Sequence, residues 1–283
     1  MTTTLTPTAP ATASSAAPAA GRTPTRDLSF GRIVQAEWIK FRTLRANWIT
    51  LGAAVAVMAL FGALAAAVSA SGGDLGGPEQ AASTPLSITL TGSMFGVLVL
   101  GVLGCLHGAR EFGSSMMTAT LTAAPRRLQV LAAKAVVLTG VVLPAALTAA
   151  FGAWAIGSAV QSAGGEPTSS LSDGAVLGSL LGTAFWLTAV ALIGTGLGVL
   201  VRSTAGAISA LVAGVLIVPA LAGGLLPDSW SMVLDYLPSN AATTFTTLGP
   251  DSSLGTAAGL AVVAGWVVVA LVAAGARFRS SDL

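Results

Sequence analysis

Charge is scarce in this sequence. Only 8% of its 283 residues are Asp, Glu, Lys or Arg, where a soluble globular chain carries about 25%. With 54% of the residues hydrophobic, an aqueous surface cannot be built from it. One cysteine, Cys105, and one histidine, His107, exclude an internal disulfide framework and a Cys/His metal site within one chain. The formal charge of +2 is too small to mark a nucleic-acid partner. No Gly-x-x-x-x-Gly-Lys-Ser/Thr segment is present to cradle phosphates, so ATP is not expected to be hydrolysed on this chain. The middles of the apolar runs hold no Asp, Glu, Lys or Arg, which counts against a proton pump, a voltage sensor or an ion-coupled carrier, although Na⁺ sites built from carbonyls stay open. Intramembrane hydrolysis would need a base, a nucleophile and an orienting group together. A single histidine near a helix end does not supply them.

Long apolar runs are abundant instead. A hydrocarbon core about 30 Å thick is crossed by ~20 predominantly apolar residues in a helix. Six stretches qualify: Trp48–Ala70, Ser87–Ala109, Lys134–Val160, Ala175–Val201, Ala205–Leu226 and Gly255–Ala276. Every one of the 13 Lys and Arg residues falls before the first run, in the second or fourth connection or at its edge, or after the sixth run. The charged residues of the first, third and fifth connections are all acidic, among them Asp74, Glu166 and Asp228. By the positive-inside rule the basic segments are cytoplasmic. The expected fold is therefore an all-α, multi-pass protein of the bacterial inner membrane with six transmembrane helices and both termini in the cytoplasm. Residues 1–28 are rich in Thr, Ala, Pro and Ser without the apolar core of a signal peptide, and read as a disordered cytoplasmic tail. Residues 29–283 form the six-helix domain.

Two cytoplasmic segments carry more information than the spans. On a helical wheel of Ser29–Asn47, the residues Phe30, Ile33, Val34, Trp38, Phe41 and Leu44 share an arc of roughly 140°. Arg32, Gln35, Arg42 and Thr43 lie opposite, and Arg45 follows. That is the pattern of an in-plane amphipathic helix anchoring the first span. Ile39 interrupts its polar side. Glu37 interrupts its apolar side, where a carboxylate needs a partner; Arg45, Arg110 or a neighbouring loop are the expected ones. In the second connection, Ser114 or Ser115 caps a short helix that Pro125 ends, with Met116, Met117, Thr120 and Leu121 on one face. Exposed methionines suit docking into a groove of another protein; packing against the chain's own cytoplasmic ends fits the composition equally well.

The segment Glu-Trp-Ile-Lys-Phe-Arg-Thr-Leu-Arg-Ala-Asn-Trp at 37–48 resembles the lead into the first span of type 2 ATP-binding-cassette (ABC) exporter permeases. Glu111, Thr120-Leu121, Pro125-Arg126-Arg127 and Val130-Leu131-Ala132-Ala133-Lys134 resemble that family's second connection. The run Gly198 to Ala207, followed by Pro219 and Pro227, resembles its fourth connection and fifth helix. The likeness covers about residues 30–283, in order; Ser115 stands where family members often carry Gly. It implies a dimer of six-helix permeases, as two copies or two related chains, each docking a cytoplasmic ATPase subunit that holds ATP and Mg. Such a permease is not itself an enzyme and binds no cofactor. It moves an amphiphilic substrate (drug, lipid or peptide) outward. The amphipathic segment, with Glu37, Trp38, Phe41, Arg42 and Arg45, would be the family's connecting helix. The second connection would be its coupling helix, with Glu111, Met116, Met117, Thr120, Leu121, Arg126 and Arg127 at the ATPase contact. An ATPase-independent scaffold or immunity protein, or a secondary carrier, are the alternatives.

Smaller features complete the reading. Pairs of glycines four apart (Gly92/Gly96, Gly104/Gly108, Gly178/Gly182, Gly194/Gly198, Gly255/Gly259) permit close helix packing. Cys105 and His107, two apart on a helix, diverge; His107 is expected to cap its helix or meet Glu111. Lys134, at the start of the third run, is expected to snorkel to the headgroups. Pro144 is expected to kink the third run. Trp230, Val233, Leu234, Tyr236 and Leu237, bounded by Pro227 and Pro238, read as a short helix at the outer interface; the resemblance implies small re-entrant helices at an outer gate.

Overall fold

Helix α1 (Phe30–Thr43) runs into α2 (Arg45–Ala70) with only Leu44, in extended conformation, between them. So abrupt a bend strands the last carbonyls of α1, and the first turn of α2 satisfies two of them. Asn47 Nδ2 donates to the Phe41 carbonyl at 3.0 Å and Trp48 Nε1 to that of Arg42 at 3.2 Å. These contacts come from a computed structural model that describes residues 29–73, 84–113, 127–248 and 254–279; the tail 1–28 lies outside them. Among the described residues the chain is helical without strands, and six helices are long and apolar enough to cross a membrane. These are the six runs read from the sequence.

Two of the six begin elsewhere than hydropathy places them. The run expected from Ser87 is divided into a short helix α3 (Pro85–Thr89), capped by Thr84, and α4 (Ser93–Gly113). At the break, Gly92 lies against the Met58 backbone of α2, where a Cβ would collide. The third run starts at Arg127 rather than Lys134: α5 spans Arg127–Ala163. Leu, Gln and Ala are good helix formers, so Arg127–Ala133 extends the helix although its Arg and Gln lower the hydropathy. Pro144 lies inside this continuous α5, which offers no backbone N–H there to the Gly140 carbonyl.

Helix α6 (Gly174–Val201), capped by the Asp173 carboxylate on the Ala175 N–H at 2.9 Å, is apolar all round. A helix with no polar face belongs in the middle, and α4, α5 and the sixth span all pack on it. Its partnership with α4 is the closest in the fold. Cβ atoms on Gly104 and Gly108 would collide with the Ala191 and Thr195 carbonyls, and Gly194 and Gly198 meet the Gly101 and Cys105 carbonyls in return. Matching glycines four apart on two helices running the same way make a seam with backbones nearly touching. Thr195 Oγ1 reaches the Gly104 carbonyl across it at 3.2 Å. Two of the five glycine pairs thus face each other. Gly92 and Gly96 meet Met58, while Gly182 and Gly259 both lie against the short helix Pro238–Thr246.

Arg202, in the left-handed region at φ 58°, ends α6. Ser203 then caps α7 (Thr204–Val212) through the Gly206 N–H at 3.3 Å. The fifth span continues through a π turn, Ala213–Ile217, into α8 (Val218–Leu225). Pro219 cannot donate to the Val215 carbonyl, and a widened turn beside a proline absorbs that lost bond. After a 3₁₀ turn at Asp228–Trp230 come α9 (Ser231–Leu234) and α10 (Pro238–Thr246). Between Pro227 and Pro238, where one short helix is expected, lie the 3₁₀ turn and the four residues of α9, and α10 starts at Pro238 itself. Helix α10 buries Ala241, Ala242 and Phe245 against α6 and the last helix, α11 (Thr256–Arg279). Asn240 Nδ2 caps the Leu234 carbonyl at 3.0 Å, and Trp266 Nε1 of α11 donates to the Tyr236 carbonyl at 2.9 Å.

Candidate functional site

At one end of the bundle four helices converge: α1, the start of α2, the end of α4 and the start of α5. Residues four apart share a helix face, and Ile33, Glu37 and Phe41 are the buried residues of α1. Ile33 packs with Val130 and Ala133 of α5. Glu37 enters the same contact with only 2% of its side chain exposed, and its two oxygens are used separately. Oε2 accepts from Lys134 Nζ of α5 and Oε1 from Lys40 Nζ, both at 2.8 Å. Lys134 is itself 3% exposed, whereas Lys40 is partly open.

The partner of Glu37 is thus neither Arg45 nor Arg110. Nor does Lys134 snorkel outwards. Because α5 begins at Arg127, Lys134 stands two turns inside the helix, where it is buried against α1. The helix-forming run 127–133 was the available sign of this. Arg110 has a different role: its Nη1 donates to Asn47 Oδ1 at 3.2 Å. The Asn47 amide therefore links three helices, since its nitrogen also holds the Phe41 carbonyl of α1. Asn47 went unnoticed in the sequence because an asparagine at a span boundary looks like ordinary interface polarity.

Phe41 is the apolar centre of this junction. Its ring meets His107 of α4 edge-on at 5.7 Å and Trp48 of α2 at 6.3 Å. His107 consequently lies against an aromatic face of α1. Cys105 is directed instead into the glycine seam with α6, so the two side chains do diverge.

The remaining site residues divide clearly. Trp38, Arg42 and Arg45 are exposed, together with Phe30, Ile39 and Leu44. The expected apolar arc is accordingly split, with Ile33 and Phe41 turned to the bundle and Phe30, Trp38 and Leu44 turned away. Glu111 lies in the last turn of α4 and Arg127 is the first residue of α5; their side chains are outside the described residues. Met116, Met117, Thr120, Leu121 and Arg126, with Ser114, Ser115 and Pro125, fall wholly outside them. What the structure does bring together are the roots of that connection. Arg110, just before it, is tied to α2, and Lys134, just after it, is tied to α1. No family model and no curated protein matches this sequence.

Proposed function

We propose that the chain is the membrane-spanning subunit of an ABC exporter of the type 2 class, with the basic end of the bundle and both termini in the cytoplasm. In this reading two such permeases pair, each carrying a separate ATPase subunit that binds ATP and Mg. The observation that carries it is the buried Glu37–Lys134 pair. Desolvating two charges is costly, and such a pair returns little stability over apolar packing. What it supplies is a fixed register between α1 and the helix that follows the 114–126 connection.

That register gives the connection a mechanical role. A displacement applied by an ATPase at 114–126 acts on α4 through Arg110 and on α5 through Lys134. Arg110 is fastened to the start of α2 and Lys134 to the middle of α1, and those helices join at Leu44, so the four elements respond together. The glycine seam then passes the displacement of α4 to α6 at the centre. The long apolar helices, dotted with Ser and Thr, suit an amphiphilic cargo. A scaffold that only anchors partners has no need for two separate polar ties at the roots of one connection.

Charge reversal at Glu111, or Met116→Asp with Met117→Asp, tests the docking assignment. ATPase subunit recovered on the purified permease is expected to fall at least tenfold while the spans remain folded. Unchanged recovery and unchanged stimulation of ATP hydrolysis would overturn it.

A further inference from the structure

The outer side of the α1–α2 joint carries a patch that the four-helix junction does not use. Trp38 and Arg42 are one turn apart on α1, and Arg45, Trp48 and Ile49 fall on one side of the first turn of α2. All five are exposed. The bond from Trp48 Nε1 to the Arg42 carbonyl, at 3.2 Å, joins the second group to the first, and the edge-on contact with Phe41 fixes the same indole from the buried side. Two tryptophans and two arginines thus adjoin across Leu44.

No carboxylate answers those cations. Glu37 is the one acidic residue between Asp27 and Asp74, and it is buried with Lys40 and Lys134. Among the described residues neither the Arg42 nor the Arg45 guanidinium has a partner. Neither bulk phase suits the patch as a whole. Water leaves Trp48 46% and Ile49 70% exposed, and hydrocarbon leaves two guanidiniums without hydrogen-bond acceptors. The headgroup layer takes indole rings and cations side by side. A guanidinium, unlike an ammonium, also presents parallel N–H donors that match a phosphate.

We propose that this patch binds the headgroup of one anionic glycerophospholipid, its phosphate between Arg42 and Arg45 and its glycerol beside Trp48 and Ile49. The lipid would brace the α1–α2 bend from outside, as the Asn47 and Trp48 hydrogen bonds do from within. Its chemistry is independent of whether an ATPase docks.

Native mass spectrometry of the full chain in detergent tests this, with phosphatidylglycerol and phosphatidylcholine as competing probes. One phosphatidylglycerol per chain is expected to be retained in preference to phosphatidylcholine. Arg42→Gln and Arg45→Gln are each expected to lower that preference about fivefold, and the double variant to remove most of it. Both side chains are exposed, so the fold is untouched. Arg32, another exposed arginine, lies nearly three turns before Arg42 on α1, and Arg32→Gln is expected to change the preference by less than about twofold. Equal retention of the two lipids by the parent chain, or an unchanged preference in the double variant, overturns the proposal. So does a loss with Arg32→Gln as large as with Arg42→Gln, which would mark diffuse charge rather than a site. If the double variant sheds a co-purifying protein while its lipid preference stays the same, the patch is a protein contact and the proposal falls.

Discussion

Glu37 and Lys134, 97 residues apart in the chain, meet at 2.8 Å in a contact almost sealed from solvent. Breaking such a pair from one side leaves a buried charge uncompensated, at a cost of about 3–5 kcal/mol. Glu37→Gln, which strands buried Lys134, is expected to destabilise the protein by that amount, and Lys134→Met by less, because Lys40 still holds Glu37 Oε1. The double variant is expected to recover most of the loss, because neither charge then remains. Unfolding in mixed micelles of the four members of this cycle measures the coupling; strictly additive losses would show that the two side chains do not depend on each other.

Asn47 ties α2 to both α1 and α4. Asn47→Leu keeps the volume and removes both bonds, leaving the Phe41 carbonyl without its partner at a cost of about 1–3 kcal/mol. Protease sensitivity near Leu44 is expected to rise along with the loss of stability. A variant as stable and as resistant as the parent chain would contradict the bridging role.

The α4–α6 seam is held by the lack of side chains. Gly104→Leu drives a side chain into the Ala191 backbone, where overpacking costs about 1–3 kcal/mol or more. Gly140, on α5, has open space at its Cβ position, so Gly140→Ala is expected to change stability by less than about 1 kcal/mol. Thermal unfolding of the pair distinguishes a packed seam from glycine that reflects composition alone.

The proposed orientation rests on where the basic residues sit, and labelling measures it. Ser170 and Ser203 are exposed at opposite ends of α6. In a Cys105→Ala background, Ser170→Cys is expected to react with an impermeant maleimide on intact spheroplasts, and Ser203→Cys only after lysis. The reverse pattern would invert the topology and place the junction outside.

Apolar length alone located the six spans, since nothing but a helix satisfies its backbone over such a run in hydrocarbon. The same reasoning misjudged where two of them start. Hydropathy stops at the first Arg or Gln, while the helix of Arg127–Ala133 continues until its propensity fails, and that difference of two turns moved Lys134 from the surface to a buried pair. Glu37 announced its need for a partner through its position on an apolar face. Which cation answers is a tertiary fact that depends on how α1 lies across α5, and no local pattern encodes it. The glycine pairs were visible as spacing, but only the crossing of α4 and α6 distinguishes those that meet from Gly178, whose Cβ position is open. The division of the fifth connection into a turn and two helices was likewise hidden, because Pro238 starts a helix there as readily as it ends one.

Purification of the full chain from its native membranes in mild detergent, with identification of co-eluting proteins by mass spectrometry, tests the central claim most directly. The exporter reading predicts a near-stoichiometric ATPase subunit carrying Walker motifs. Its reproducible absence from the intact, folded chain would contradict that reading and favour a protein that works without ATP.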